Sequence, residues 1–160
     1  MCSFYLEVIM KKILLVLLCL FMLVGCSGET AEEPEEEKVF NVGILQLLQH
    51  DALDSATQGF KDALTDLLGD RVVFDEQNAS GDAANCATIA NQFVANGVDL
   101  IFANATPALQ ASKTATGDIP IVGTSVTSFK VALDMNEWNG PTGINVTGTS
   151  DLAPLDQQAA

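Results

Sequence analysis

Apolar and polar positions follow two different periods along residues 39–160. Short, mostly apolar runs predict buried strands, and they cover residues 39–48, 71–74, 98–103 and 119–123. Between them, apolar residues three and four positions apart predict amphipathic helices over residues 51–68, from Asp82 to about 96, and from Thr106 to about 116. This alternation predicts a parallel sheet covered by helices on both faces, a doubly wound α/β lobe.

Local signals support these boundaries. Asp82 has the chemistry of a helix N-cap, and Gly97 is a common helix terminator. Thr106 and Pro107 together predict an N-cap followed by proline at the first helical position. Pro120 lacks a backbone N–H and therefore favours an early or edge position for the fourth strand.

The first 25 residues have the pattern of a bacterial secretion signal. Lys11 and Lys12 precede the uncharged run 13–24, which spans roughly 18 Å as a helix and is too short for a hydrocarbon core of ~30 Å. The run ends in Leu-Val-Gly-Cys, which resembles a lipoprotein box and predicts cleavage before Cys26 and lipid on its sulfur. Translation starts at Met1 or at Met10, and the second is the better start.

Residues 26–38 are expected to form an acidic tether. Residues 29–38 hold six carboxylates and one lysine, and like charges at this density keep a segment extended and solvated. A tether of this length reaches roughly 40 Å from a bilayer. We therefore expect a lipid-anchored protein facing outward, with residues 39–160 forming its folded lobe.

Composition excludes some classes of function. A net charge of −14 with only seven lysines and arginines argues against a nucleic-acid partner. Three of the four cysteines belong to the leader and the lipid site, which leaves Cys86 on the apolar face of the second predicted helix, where it is expected to pack as a buried thiol. No histidine, cysteine or carboxylate cluster has metal-ligand spacing, so no metal or cofactor is expected.

Ligands of doubly wound folds bind beyond the carboxyl ends of the strands, where the strand order reverses. The residues that the sequence places there carry neutral hydrogen-bonding groups, and a helix start in the same region offers backbone amides for a carboxylate. This chemistry suits reversible capture of a small polar or zwitterionic solute. The candidate ligand-binding residues are Gln46, His50, Asn104, Ala105, Thr106, Ser125 and Thr127. The alternatives are a surface position at the start of a helix for His50, an N-cap for Thr106, and contacts with the loop backbone for Ser125 and Thr127.

Several runs of residues together carry a family resemblance. They are Val42-Gly43-Ile44-Leu45-Gln46, His50, Ala52-Leu53-Asp54, Gly59-Phe60, Asn78-Ala79-Ser80-Gly81-Asp82, Thr88-Ile89-Ala90-Asn91-Gln92-Phe93, Asp99-Leu100-Ile101, Ala105-Thr106-Pro107-Ala108, Ile119-Pro120-Ile121-Val122, Thr124-Ser125-Val126-Thr127 and Asn145-Val146-Thr147-Gly148-Thr149-Ser150-Asp151. From about residue 42 to residue 158 the chain resembles the ABC transporter substrate-binding proteins of the tryptophan/tyrosine type.

The resemblance implies one lobe of a periplasmic-binding-protein-like clamshell. Such a clamshell closes over an amino acid or similar solute, for instance an aromatic amino acid, and passes it to an ABC permease. Such proteins have a second lobe of comparable size, and this sequence stops at Ala160, around where the crossing into that lobe is expected. We therefore expect residues 39–160 to be the N-terminal lobe of a truncated chain. Ser128 and Phe129 stand where the family commonly has Asp-Pro, which puts the local loop in question.

Two other function classes share this fold. A flavodoxin-like enzyme is disfavoured because His50 is the only histidine, no nucleophile-elbow motif is present, and no glycine-rich phosphate loop follows the first strand. A ligand-sensing lobe for a membrane receptor has the same sequence features as a transporter lobe, so this alternative stays open. The expectation is thus a non-catalytic solute-binding component of an ABC importer, lipid-anchored on the extracytoplasmic face of the cell membrane.

Overall fold

The computed structural model describes residues 37–136 and 141–151. The elements are β1 (Phe40–Gln46), α1 (Asp51–Leu68), a 3-10 turn (Gly69–Arg71), β2 (Val72–Asn78), α2 (Ala83–Asn96), β3 (Leu100–Asn104), α3 (Thr106–Ala115), β4 (Ile121–Val126), α4 (Phe129–Ala132) and β5 (Val146–Ser150). The predicted signal peptide 1–25, the lipidation of Cys26 and residues 26–36 of the predicted tether lie outside the described residues. No helix in the described ranges is long and apolar enough to span a membrane.

The sheet has five parallel strands in the order β2-β1-β3-β4-β5. The chain moves from β1 outward to β2 and then returns to the other side of β1 with β3. The strand order therefore reverses between β1 and β3, which is where such folds open a crevice at the carboxyl ends. The predicted doubly wound α/β fold is confirmed.

Most predicted elements are present, and the main differences concern β2, β4 and two elements that were not predicted. β2 continues to Asn78, beyond the predicted end at residue 74, because it is an edge strand whose second half is polar and only partly buried. β4 begins after Pro120 and lies inside the sheet, where the Pro120 carbonyl accepts a hydrogen bond from the Ile101 N–H (2.9 Å). The short helix α4 and the edge strand β5 were not predicted.

Each face of the sheet has its own apolar cluster, as the period of two along the strands requires. On one face, Val42, Ile44 and Phe102 pack under α1, and Phe60 of α1 stacks on Phe102 with ring centroids 3.9 Å apart. The other face carries a larger cluster from β1, β3, β4 and the helices α2 and α3. The sheet is thus covered on both sides by helices.

Cys86 belongs to the larger cluster, and its side chain is fully buried. It is a free thiol, and burial raises its pKa above the usual value for a cysteine. The predicted buried packing of Cys86 is confirmed. The N-cap of α2 is confirmed as well, since the Asp82 carboxylate accepts a hydrogen bond from the Ala84 N–H (2.7 Å).

Gly43, in the middle of β1, lies directly against the ring of Phe93 from α2. A Cβ atom at Gly43 would lie 2.7 Å from two carbon atoms of that ring, closer than any real contact. Phe93 is itself fully buried, so its ring has no free space to move into. The absence of a side chain at Gly43 is what allows α2 to pack this closely on the sheet.

We expect Gly43→Ala to lower the free energy of unfolding by about 1–3 kcal/mol, because the added methyl group overpacks the cluster around Phe93. Gly59→Ala is the matched control, since Gly59 lies in α1 with open space around it, and alanine there gains about 1 kcal/mol of helix propensity. Urea unfolding of both variants checks this. Equal stability of the two variants would show that the close contact between Gly43 and Phe93 does not affect the free energy of unfolding.

Candidate functional site

The carboxyl ends of β1, β3 and β4 meet at one edge of the sheet. Gln46 is the register partner of Asn104, and Asn104 is the register partner of Thr124. The three predicted loop regions, residues 46–50, 104–106 and 124–127, therefore begin side by side. This edge includes the point where the strand order reverses, and we refer to it as the carboxyl edge.

Gln46 and Asn104 are at the carboxyl edge, but their side chains are buried beneath α1. Their exposed fractions are 5 % and 0 %. The reason is the period of two, because Gln46 continues the face of Val42 and Ile44, and Asn104 continues the face of Phe102. Direct contact of these two amides with a ligand stays a prediction.

Both amides are hydrogen-bonded to α1 and the loop before it. The Gln46 Nε2 group donates to the Leu48 carbonyl (2.9 Å) and to Oδ1 of Asp54 (2.6 Å). The Asn104 Nδ2 group donates to the Leu53 carbonyl (2.8 Å) and to Oγ1 of Thr57 (3.0 Å). These bonds attach the first turns of α1 to the ends of β1 and β3.

Thr57 links the two amides, and sequence reasoning missed it. Its hydroxyl donates to Oε1 of Gln46 (2.6 Å) while it accepts from Asn104, and its side chain is 3 % exposed. A signal was present in the sequence, since Thr57 lies four residues after Leu53 and three before Phe60 on the inward face of the helix. A hydroxyl on an apolar helix face needs a polar partner opposite it.

His50 is the N-cap of α1. Its backbone is extended (φ −162°, ψ 137°), and its Nδ1 atom accepts a hydrogen bond from the Ala52 N–H (3.2 Å). The side chain is exposed at the carboxyl edge. The structure thus places His50 on the surface at the start of the helix, as the alternative predicted, and adds a capping role that was not predicted; a ligand contact stays a prediction.

The start of α3 differs from the prediction by one residue. Ala105 is the N-cap, Thr106 is already helical, and no side chain caps this helix, so the predicted capping role of Thr106 is wrong. The chain turns one residue earlier because the Ala105 N–H donates to the Thr124 carbonyl (3.0 Å), which continues the sheet bonding up to the helix. The first-turn amides of α3 lack intrahelical acceptors and lie at the carboxyl edge.

Two non-glycine residues at this edge have positive φ angles. Ala105 has φ 93° and ψ 158°, a region that is almost exclusively occupied by glycine, and Ser125 has φ 54°. Ser125 lies where the pairing of β4 with β5 shifts register between Gly123 and Val126. Such bulges redirect side chains, and residues held in sparsely populated conformations cluster at binding sites.

The remaining candidate, Thr127, follows β4 and is exposed. Its carbonyl accepts a hydrogen bond from the Ser150 hydroxyl (2.9 Å), which ties this loop to β5. Among the described residues, no three or more histidine, cysteine or carboxylate side chains converge as metal ligands do. The candidate side chains of Gln46, Asn104, Thr106, Ser125 and Thr127 are themselves neutral hydrogen-bonding groups.

A polar cavity of about 340 Å³ lies beside the buried amides, between α1 and the ends of β1 and β2. Its walls are carboxamides, a hydroxyl and two carboxylates, from Gln46, Gln49, Asp54, Thr57, Gln58, Glu76 and Asn78. Gln46 and Thr57 therefore form part of the wall of this cavity as well as the contacts beneath α1. The cavity adds no basic side chain to the region.

Comparison with known proteins gives consistent results. Residues 41–160 match the family model described as ABC transporter substrate binding protein. A tyrosine-binding protein from Clostridioides difficile (strain R20291) is 40 % identical over 161 residues, covering 92 % of this chain and 46 % of the relative. The chain thus spans about half the length of this relative.

Solved structures show the same partial coverage. The ligand-free, open structure of a substrate binding protein with adhesive properties from Clostridium difficile is 40 % identical, with a TM-score of 0.70, over 74 % of this chain and 41 % of that one. An ABC domain from Streptococcus pneumonia in complex with L-Trp is 36 % identical, with a TM-score of 0.65, over 71 % of this chain and 39 % of that one.

We expect Ala105→Gly to stabilise the lobe by about 1 kcal/mol, because glycine occupies the backbone conformation of Ala105 without strain. Ala87→Gly, at an exposed position inside α2, is the control, and it should cost about 1 kcal/mol as glycine usually does in a helix. Thermal and urea unfolding measure both. A loss of stability in Ala105→Gly would mean that the backbone at Ala105 stores no strain.

Proposed function

The chain belongs to the family of ABC transporter substrate binding proteins, and from this premise we propose that it forms one lobe of an extracytoplasmic protein that binds an aromatic amino acid for an ABC permease. The observation that carries the proposal is the carboxyl edge, where an uncapped helix start lies beside neutral hydrogen-bonding side chains at the switch point of the sheet. Relatives named for tyrosine binding and for a complex with L-Trp support an aromatic ligand.

We propose that the start of α3 binds the ligand carboxylate. An uncapped helix N-terminus offers backbone N–H groups and the positive end of the helix dipole. Pro107 has no N–H, so the first-turn donors are those of Thr106 and Ala108. The strained backbone at Ala105 sets the direction in which this turn faces the edge.

The neutral side chains would then serve the rest of the ligand. Ser125 and Thr127 supply hydroxyl groups from the loop after β4, and His50 supplies an imidazole from the opposite side of the edge. The hydroxyl groups of Ser125 and Thr127 are neutral and add no charge that would favour an ionic ligand over a zwitterion. Reversible binding without catalysis fits this chemistry, and the named relatives are binding proteins.

The ligand of a two-lobed protein is shared between both lobes, and this chain spans less than half of each named relative. If each lobe contributes equally to a micromolar affinity of roughly −8 kcal/mol, one lobe retains about −4 kcal/mol, which corresponds to a millimolar constant. The residues 39–160 are therefore proposed to act together with a second lobe in capture and in delivery to the permease.

Membrane attachment through Cys26 is the second part of the proposal. The lipoprotein-like sequence before Cys26 and the acidic segment after it support an anchored lobe on the extracytoplasmic side, separated from the membrane by a solvated tether. An anchor of this kind keeps a solute-binding lobe close to its permease.

We expect the 160-residue chain to bind L-tryptophan and L-tyrosine with a Kd near the millimolar range, since it spans less than half of each named relative and is proposed to supply one lobe's share of the contacts. Titration followed by backbone NMR measures this, with the largest shifts expected at Thr106 and Ser125. Glycine, which has the same zwitterion and no side chain, is the control ligand. A sub-micromolar Kd would refute the half-site argument, and unperturbed spectra with both aromatic ligands would refute the proposed function.

We expect Cys26→Ala to abolish lipid attachment when the chain is expressed in a bacterium with lipoprotein processing, because no thiol remains at the predicted cleavage site to accept the lipid. Metabolic labelling with a radioactive fatty acid and membrane fractionation report the change. Cys86→Ala is the control, since Cys86 is buried in the lobe and should leave labelling unchanged. Labelling that survives in Cys26→Ala would place the anchor elsewhere.

A further inference from the structure

Four side chains beneath α1 form a continuous chain of hydrogen bonds, which we call the amide relay: Asn104, Thr57, Gln46 and Asp54. Asn104 Nδ2 donates to Thr57 Oγ1 (3.0 Å), Thr57 donates to Gln46 Oε1 (2.6 Å), and Gln46 Nε2 donates to Asp54 Oδ1 (2.6 Å). The relay begins at the end of β3, passes through α1 to the end of β1, and returns to α1.

The direction of every bond in the amide relay is determined by chemistry. Thr57 has one hydroxyl hydrogen, and because Asn104 Nδ2 is a donor, that hydrogen must go to Gln46. The Gln46 amide cannot be reversed, since its oxygen would then face the Leu48 carbonyl and the Asp54 carboxylate, both of which are acceptors. The Leu48 carbonyl and the Asp54 carboxylate therefore determine the orientation of the Gln46 amide, and the Thr57 hydroxyl is the donor that its buried oxygen receives.

The Gln46 amide in turn holds the segment that leads into α1. Its Nε2 group bonds the carbonyl of Leu48, two residues before His50, and the carboxylate of Asp54, four residues after it. The other end of the relay bonds the Leu53 carbonyl through Asn104. The turn that carries His50 is thus bonded on both sides by two amides, and Thr57 is hydrogen-bonded to both of them.

We propose that Thr57 is a positioning residue for the ligand-binding edge: its hydroxyl joins the Gln46 and Asn104 amides, which together hold residues 47–54 in the conformation that binds the solute. Thr57 is 3 % exposed, and the proposed role needs no ligand contact of its own. The identity of the ligand in this inference rests on the proposed function, whereas the positioning role of Thr57 rests on the hydrogen bonds of the amide relay. It gives Gln46 and Asn104 a role beneath the site.

The substitution that isolates the hydroxyl is Thr57→Val, which keeps the shape of the side chain and removes both of its hydrogen bonds. It leaves the Gln46 oxygen and one Asn104 N–H buried without partners. Thr57→Ser keeps the hydroxyl and loses only a methyl group, so it should rescue the relay. Ile121→Val is the control for general destabilisation, because Ile121 is buried in the cluster on the opposite face of the sheet.

The first measurement is hydrogen exchange of the backbone amides of residues 47–54 in the full chain, together with the NMR signals of the Gln46 side-chain amide. We expect exchange about tenfold faster in Thr57→Val, close to wild type in Thr57→Ser, and unchanged in Ile121→Val. Unchanged exchange in Thr57→Val, or an equal rise in Ile121→Val, would overturn the positioning role. If Thr57→Val does not fold, Asp54→Ala, which removes the half-buried acceptor of Gln46, is expected to give the same local increase, and unchanged exchange in that variant would overturn the role.

The second measurement is the Kd for L-tryptophan in the same variants. We expect it to rise about tenfold in Thr57→Val and to return to the wild-type value in Thr57→Ser. A Kd that stays constant while exchange rises would overturn the link between the relay and binding. Failure of the wild-type chain to bind either aromatic amino acid would count against the proposed function alone, because the exchange measurement still decides the relay.

Discussion

The pairing of β1 with β3 in one register is the constraint on which the carboxyl edge depends. It places Gln46 opposite Asn104, and the period of two directs both amides to the face that α1 covers. A polar pair at the end of an apolar face is costly unless its groups are hydrogen-bonded, and Thr57 supplies the central partner. The entry of the chain into α1, including its cap at His50, follows from this arrangement.

The other half of the edge is organised by its backbone. Ala105 and Ser125 both hold positive φ angles at the ends of neighbouring strands, and the register shift between β4 and β5 lies beside the second of them. Strain of this kind persists only where the surrounding structure enforces it, and here the sheet bond from Ala105 to Thr124 does so. Side-chain hydrogen bonds fix one side of the edge, and backbone geometry fixes the other.

The two apolar clusters explain why the edge can be exposed and still well defined. Each face of the sheet is closed by its own helices, with the stacked rings of Phe60 and Phe102 on one side and the close contact of Phe93 with Gly43 on the other. Binding residues on loops are held in place by such a scaffold. The family to which the chain belongs uses this type of lobe to bind solutes, and the neutral chemistry of the edge is consistent with that use.

The sequence alone determined the fold class, the helix α1, the cap and terminator of α2, and the burial of Cys86, because hydrophobic periodicity and capping are local properties of the chain. It also located the loops that gather at one edge, since parallel strands bring their carboxyl ends together. Only the tertiary structure decided that Gln46 and Asn104 turn inward, that Thr57 joins them, and that α3 starts after Ala105 with no capping side chain. These features depend on the register between strands distant in sequence and on the bond between Ala105 and Thr124, and no local pattern contains that information.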